Sequence, residues 1–273
     1  MHFPSPGVSR LAGVTAGLAL ATIVSGAVLT SDFMIESAAA SAAQAGRIHQ
    51  DLGLVVAALT VVLLLWLLPT NTRGWLRGIS WASVGVVAVE GALSMLQVKA
   101  PLPMWQSLAH AILAPVLLAL LAAIGCFTLP EWQMDPDPVN LSEYLIVPAA
   151  AKAAPILVLL QIAMGAAYRH KEWSVMPHMA GAMLVAAVML VVPVMLLQQF
   201  PQHPSLRPVA IAAMSAALLQ ITLGIGAFVM RLLDFDTSTT FVTIAASHVS
   251  VGALTLAASL VMAVEVSRCT PES

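Results

Sequence analysis

Residues 161–182 read QIAMGAAYRHKEWSVMPHMAGA. One apolar run ends here, a charged turn follows (Arg169, His170, Lys171, Glu172), and a second apolar run begins with His178 just inside it. The same figure recurs three times. His49, His110 and His248 each lie shortly after the start of a long apolar segment.

Working outward, the chain of 273 residues is 60% hydrophobic and only 9% charged, against roughly 25% charged in soluble domains. A bilayer core takes about 20 apolar residues per helix, and eight such runs are present. They are continuous rather than alternating with a period of two, so spanning helices are expected and spanning strands are not. The fold class is an all-α membrane protein, with eight transmembrane helices as two pseudo-symmetric four-helix bundles and the lipid bilayer as partner. A net charge of −2 gives no reason to expect nucleic acid.

The helices are expected at about 11–30, 46–68, 76–98, 104–129, 147–168, 175–198, 206–231 and 241–265. The first is read as a retained helix, because Leu11 to Leu29 outruns the 7–15-residue core of a signal peptide. Residues 131–146, rich in proline and acid, form the linker between an N-terminal bundle (1–130) and a C-terminal bundle (147–273). Pairs of glycine and a small residue recur at Gly26, Gly91, Gly165 and Gly226, a weak internal repeat that would by itself mean only close packing. Pro115 and Pro193 are expected to kink their helices, and the methionines read as adaptable packing. Cys126 and Cys269 cannot build a disulfide framework; one reads as a small buried hydrophobe and the other as a free tail thiol. Six basic residues on one side and five on the other favour the N-terminus inside by a narrow count.

Even-numbered helices all enter from one face, so the four histidines share one shallow level. Ionisable residues inside membrane helices are costly and call for a partner. The partners nearest to hand are His49 with His110, and His178 with His248. Three readings stand: interhelical hydrogen bonding, zinc, and paired axial ligands for haem iron. One turn beyond each histidine stand Gly53, Ala114, Ala182 and Gly252, small enough for a flat ring to lie against. Zinc would want four ligands together, and no cysteine or carboxylate cluster accompanies the pairs.

Glu90 is the clearest carboxylate inside a span, a candidate for hydrogen bonding a haem edge, relaying protons, or bonding a neighbouring helix. Gln161 and Gln220 read as interhelical hydrogen bonders. Arg47, Arg169 and Arg231, near the histidine face, are candidates to pair with propionates or to snorkel to the interface. His2, His170 and His203 fall in the tail or in loops and read as solvated.

With these residues in view, the chain resembles the haem A synthase family. The resemblance rests on IHQDLGLVVAAL (48–59), EGALSMLQVK (90–99), PLPMWQSLAHAILAPVLLALLAAIG (101–125), QIAMGAAYRH (161–170) and VTIAASHVSVGALTL (242–256), and so spans nearly the whole chain. It implies a resident haem b on His178 and His248, and haem O as substrate on His49 and His110. There the C8 methyl of haem O would be oxidised to the formyl of haem A, with oxygen drawn from water and electrons passed onward. Glu90 would then be a candidate proton relay, and Arg169 and Arg231 candidate cofactor-binding residues. The resemblance also implies a bacterial inner membrane, and as partners a haem O synthase, other respiratory membrane subunits or a second copy of the chain. Two departures accompany it. Family members carry a glutamate three residues before the first histidine, where this chain has Gly46, and many have a cysteine pair in the loop before helix 2, which is absent here. Glu36 and Asp51 are the carboxylates available as stand-ins. The competing reading is a b-type cytochrome that transfers electrons or serves as a subunit of a respiratory membrane complex. A transporter reading rests only on the parallel repeat.

Overall fold

The computed structural model describes residues 5–31, 39–99, 103–141 and 146–270. Its long helices are α1 (Pro6–Leu29), α2 (Ala39–Leu67), α3 (Gly74–Lys99), α4 (Met104–Phe127), α5 (Ile146–Arg169), α6 (Val175–Gln199), α7 (Leu206–Leu232) and α8 (Thr239–Cys269), with one short turn of helix at Pro130–Gln133. All eight are long and apolar enough to cross a membrane, and no strand occurs among the described residues. A helix satisfies every backbone group within its own segment, which is why an apolar chain in lipid takes this form.

Three boundaries differ from expectation. α1 starts at Pro6, where a proline at the first helical position forfeits a hydrogen bond that would be unmade anyway. α2 begins at Ala39, so the alanine-rich approach to the second run is already helical. α8 continues through Arg268 to Cys269, because Glu265 and Arg268, one turn apart, satisfy each other inside the helix. The helices run through Pro115 and Pro193, and through Pro155 as well.

Each half closes on itself. α1 packs on α2, α2 on α3, α3 on α4, and α4 back on α1; α5 to α8 repeat the ring. The two rings meet through α4 against α8, flanked by α1 against α8 and α4 against α5. That is the pattern of a pseudo-twofold axis relating α1 to α5 and α4 to α8. α8 is the most buried helix and touches α1, α4, α5 and α7. Its inward positions are small (Ala246, Ser250, Gly252, Ala253, Ala257), which lets backbones approach closely. The hydroxyls of Ser250, Thr255 and Ser259 are absorbed by carbonyls of the same helix, at 2.7–2.8 Å.

Burial is uneven along the bundles. No described side chain of α2 before Val56 is buried, none of α4 before Pro115, none of α6 before Met189 and none of α7 after Ala217. The tight core, with Leu63, Leu67, Phe127, Met189, Leu196 and Met262, fills the half away from the histidines. On that far face the linker is pinned down. Arg268 donates to Trp132 O and Met134 O at 2.9 Å, Val139 N donates to Cys269 O at 2.8 Å, and Arg73 pairs with Asp135 at 2.8 Å.

Two residues expected to be free are built in. Cys269 is fully buried beside Glu265 and Ser205, because α8 outlasts the expected span. His203 accepts from the amides of Ser205 and Leu206 at 3.3 and 3.2 Å and donates to Asp137 O at 3.1 Å, so its ring satisfies amides that open α7.

Candidate metal centres: two histidine pairs

The structure brings the four histidines together in twos, one pair per bundle. His49 on α2 faces His110 on α4 with ring centres 6.1 Å apart and planes at 80°. His178 on α6 faces His248 on α8 with centres 6.2 Å apart and planes at 89°. A metal–imidazole bond is about 2 Å and a ring nitrogen lies about 1 Å from its ring centre, so two imidazoles trans on one metal stand about 6 Å apart. Both pairs have that spacing. Among the described residues no group of three or more His, Cys, Asp or Glu comes together as a metal cage.

The second nitrogen of each ring is held in a repeated way. Nδ1 of His49 lies 3.1 Å from Thr22 O and 2.9 Å from Ser25 Oγ. Nδ1 of His178 lies 3.2 Å from Gln161 O, and Nδ1 of His248 lies 3.2 Å from Gln220 O. Four residues after each of those carbonyls, on the same face of the preceding helix, comes a glycine under the ring. A Cβ at Gly26, Gly165 or Gly224 would stand 2.8–2.9 Å from Cε1 of His49, His178 or His248. Only glycine lets the imidazole lie that close to a neighbouring backbone. His110 departs from the pattern, since its Nδ1 is held by Glu90 Oε2 on α3. A histidine that donates from Nδ1 keeps a lone pair on Nε2, the tautomer and support found around metal-bound histidines, whose other nitrogen gives its proton to a carbonyl or carboxylate. At His178 the Gln161 amide nitrogen, 2.9 Å from Nδ1, competes as a donor.

The glutamines complete the C-terminal pair. Gln161 Nε2 donates to His178 O at 2.7 Å, and Gln220 Nε2 lies 3.3 Å from Nε2 of His248. Three buried oxygens at this level have no hydrogen-bond partner among the described residues: Glu90 Oε1, Gln161 Oε1 and Gln220 Oε1.

The arginines act between elements. Arg169 donates to Ala27 O and, at 2.7 Å, to Thr30 Oγ1, so the end of α5 in one bundle holds the end of α1 in the other. Arg231 stacks over Tyr168 with its guanidinium 5.4 Å from the ring centre. His170, in the turn after α5, is half-buried rather than solvated. Burial pushes its pKa below the usual histidine range, helped by the charges of Arg169 and His110.

Other expectations change. Gly26 and Gly165 do serve the histidines, but in α7 the residue is Gly224 rather than Gly226, and Gly91 has nothing near its open side. Of the small residues one turn beyond each histidine, Gly252 is filled by the Gln220 amide and Ala114 packs into the apolar core, whereas Gly53 faces open space. Gly46 is likewise open, Asp51 is exposed, and Glu36 lies outside the described residues. Sequence reading missed Thr22, Ser25 and Gly224, although the signal was present: T-x-x-x-G, Q-x-x-x-G and Q-x-x-x-G each precede a histidine helix. Two apolar cavities, of about 540 Å³ between α1 and α8 and about 460 Å³ between α4 and α5, lie in the seams between bundles rather than between the imidazoles.

The fold and these pairs define a class: a membrane bundle of eight helices with a facing pair of histidines in each half. Compared with known proteins, the chain matches no family model and no curated protein.

Proposed function

We propose that this protein is a membrane haem-binding oxidoreductase that takes one haem between the histidines of each bundle. The observation that carries the reading is the pair of 6.1 and 6.2 Å separations, with every Nδ1 committed to a second partner. The residues fit the group. Each site offers two imidazoles, and the carboxylate at their level, Glu90, is engaged by His110. The level they occupy is poor in buried apolar side chains and carries three buried oxygens without partners. Haem bound there supplies one-electron chemistry at its iron. The protein's part is to hold both ligands as lone-pair donors, keep the ring among apolar helices, and fix the relation of the two sites through α4 and α8.

Within that class, the resemblance to haem A synthase favours haem b on His178 and His248 and haem O on His49 and His110, with oxidation of the C8 methyl to a formyl group. Arg169 and Arg231 stand near the histidine level as candidates for propionates, and Glu90 as the carboxylate for proton transfer. The second reading is an electron-transferring b-type cytochrome. It is favoured by Gly46, which puts open space where that family carries a glutamate.

Two measurements decide. Purified protein should show a reduced b-type spectrum, and His178→Ala and His248→Ala should each remove the C-terminal haem; full haem retention in both variants defeats the ligand assignment. Haem extracted after co-expression with a haem O source should contain hydroxylated haem O or haem A. Haem b alone would favour the cytochrome.

A further inference from the structure

Four imidazoles occupy equivalent places in the repeat, and Nδ1 of three of them lies 3.1–3.2 Å from a neutral backbone carbonyl, of Thr22, Gln161 or Gln220, that of His178 lying also 2.9 Å from the Gln161 amide nitrogen. At the fourth, His110, Nδ1 meets a carboxylate. Glu90 occupies on α3 the place held by Thr22 on α1, Gln161 on α5 and Gln220 on α7, with Ser94 four residues on where the others have glycine. Its side chain is 14% exposed and its other oxygen has no hydrogen-bond partner among the described residues. Its ionic partner is His110.

Resting on the haem reading above, we infer that Glu90 makes the two centres unequal, setting the N-terminal haem at the lower reduction potential, so that electrons pass from the His49/His110 site to the His178/His248 site. A carboxylate on Nδ1–H draws the proton away and pushes electron density towards Nε2, making the ligand more basic. A negative charge held beside a ligand in a medium of low dielectric stabilises the oxidised, more positive iron over the reduced one. The C-terminal pair has neutral groups against Nδ1: the Gln161 carbonyl and side-chain amide at His178, and the Gln220 carbonyl at His248. Glu90 is therefore a positioning residue acting through His110.

The test is a redox titration of the protein reconstituted with haem b at both pairs, so that one macrocycle reports on two environments. Two components are expected, and His178→Ala should leave the lower one. Glu90→Gln keeps an acceptor for Nδ1–H but removes the charge. It should raise the lower component by about tenfold in its one-electron equilibrium constant, about 59 mV, and leave the upper one in place. One of the two ferric low-spin resonance signals should move with it. A single potential for two bound haems in the unaltered protein overturns the inference without touching the haem reading. So does a lower component unmoved in Glu90→Gln. Failure to bind haem at either pair overturns both.

Discussion

At the scale of single residues, the glycines under the imidazoles decide whether each ligand can take its place. A Cβ at Gly165 would stand 2.9 Å from Cε1 and 3.1 Å from Nδ1 of His178. The ring sits at the end of a side chain and can yield, so Gly165→Ala should cost the fold little and move the ligand instead. Haem content at the C-terminal pair should fall at least tenfold in affinity, in line with losses seen when the support of a metal ligand is disturbed. Gly53→Ala is the control. Nothing stands within 4 Å of its open side, and alanine should stabilise the helix by about 0.5–1 kcal/mol. Haem titration and unfolding in detergent, run on both variants, separate the two effects; equal haem affinity in Gly165→Ala would mean that the ring does not need that closeness.

At the scale of elements, the far end of α8 fastens the halves together. Glu265 is fully buried, and its partner Arg268, 2.7 Å away, also holds two linker carbonyls and stacks near Phe127 and Trp132. Truncating one member of a buried ion pair leaves the other charged and unpaired, which costs about 3–5 kcal/mol. Arg268→Ala should therefore lose stability on that order, measured by denaturant or thermal unfolding in detergent, and expose residues 134–141 to proteolysis first. A loss below about 1 kcal/mol would mean that Glu265 is held by other contacts. Sequence reading ended helix 8 at residue 265, and so missed this pair altogether.

At the scale of the whole molecule, each ring of four helices contains its own histidine pair and its own Nδ1 partners. The sites should load separately: His49→Ala should remove haem from the first bundle, His178→Ala from the second, and each variant should keep about half of the doubly loaded content, measured per polypeptide by haemochrome absorbance. Loss of both haems from one substitution would instead make the halves a single cooperative site. The eight helices and the histidine pairing were legible in the chain, because hydrophobic runs and a repeated His position are local patterns. Glu90 was legible as a carboxylate inside a span, but not as the support of His110, since residues 20 apart meet only when two helices are laid side by side. The residue order alone determined a membrane bundle of eight helices with four histidines at one level, because burial in lipid demands long apolar helices and alternating direction does the rest. Only the tertiary structure decided which carbonyl, carboxylate or glycine each imidazole meets, because those contacts depend on helix rotation and approach distance, which periodicity does not encode.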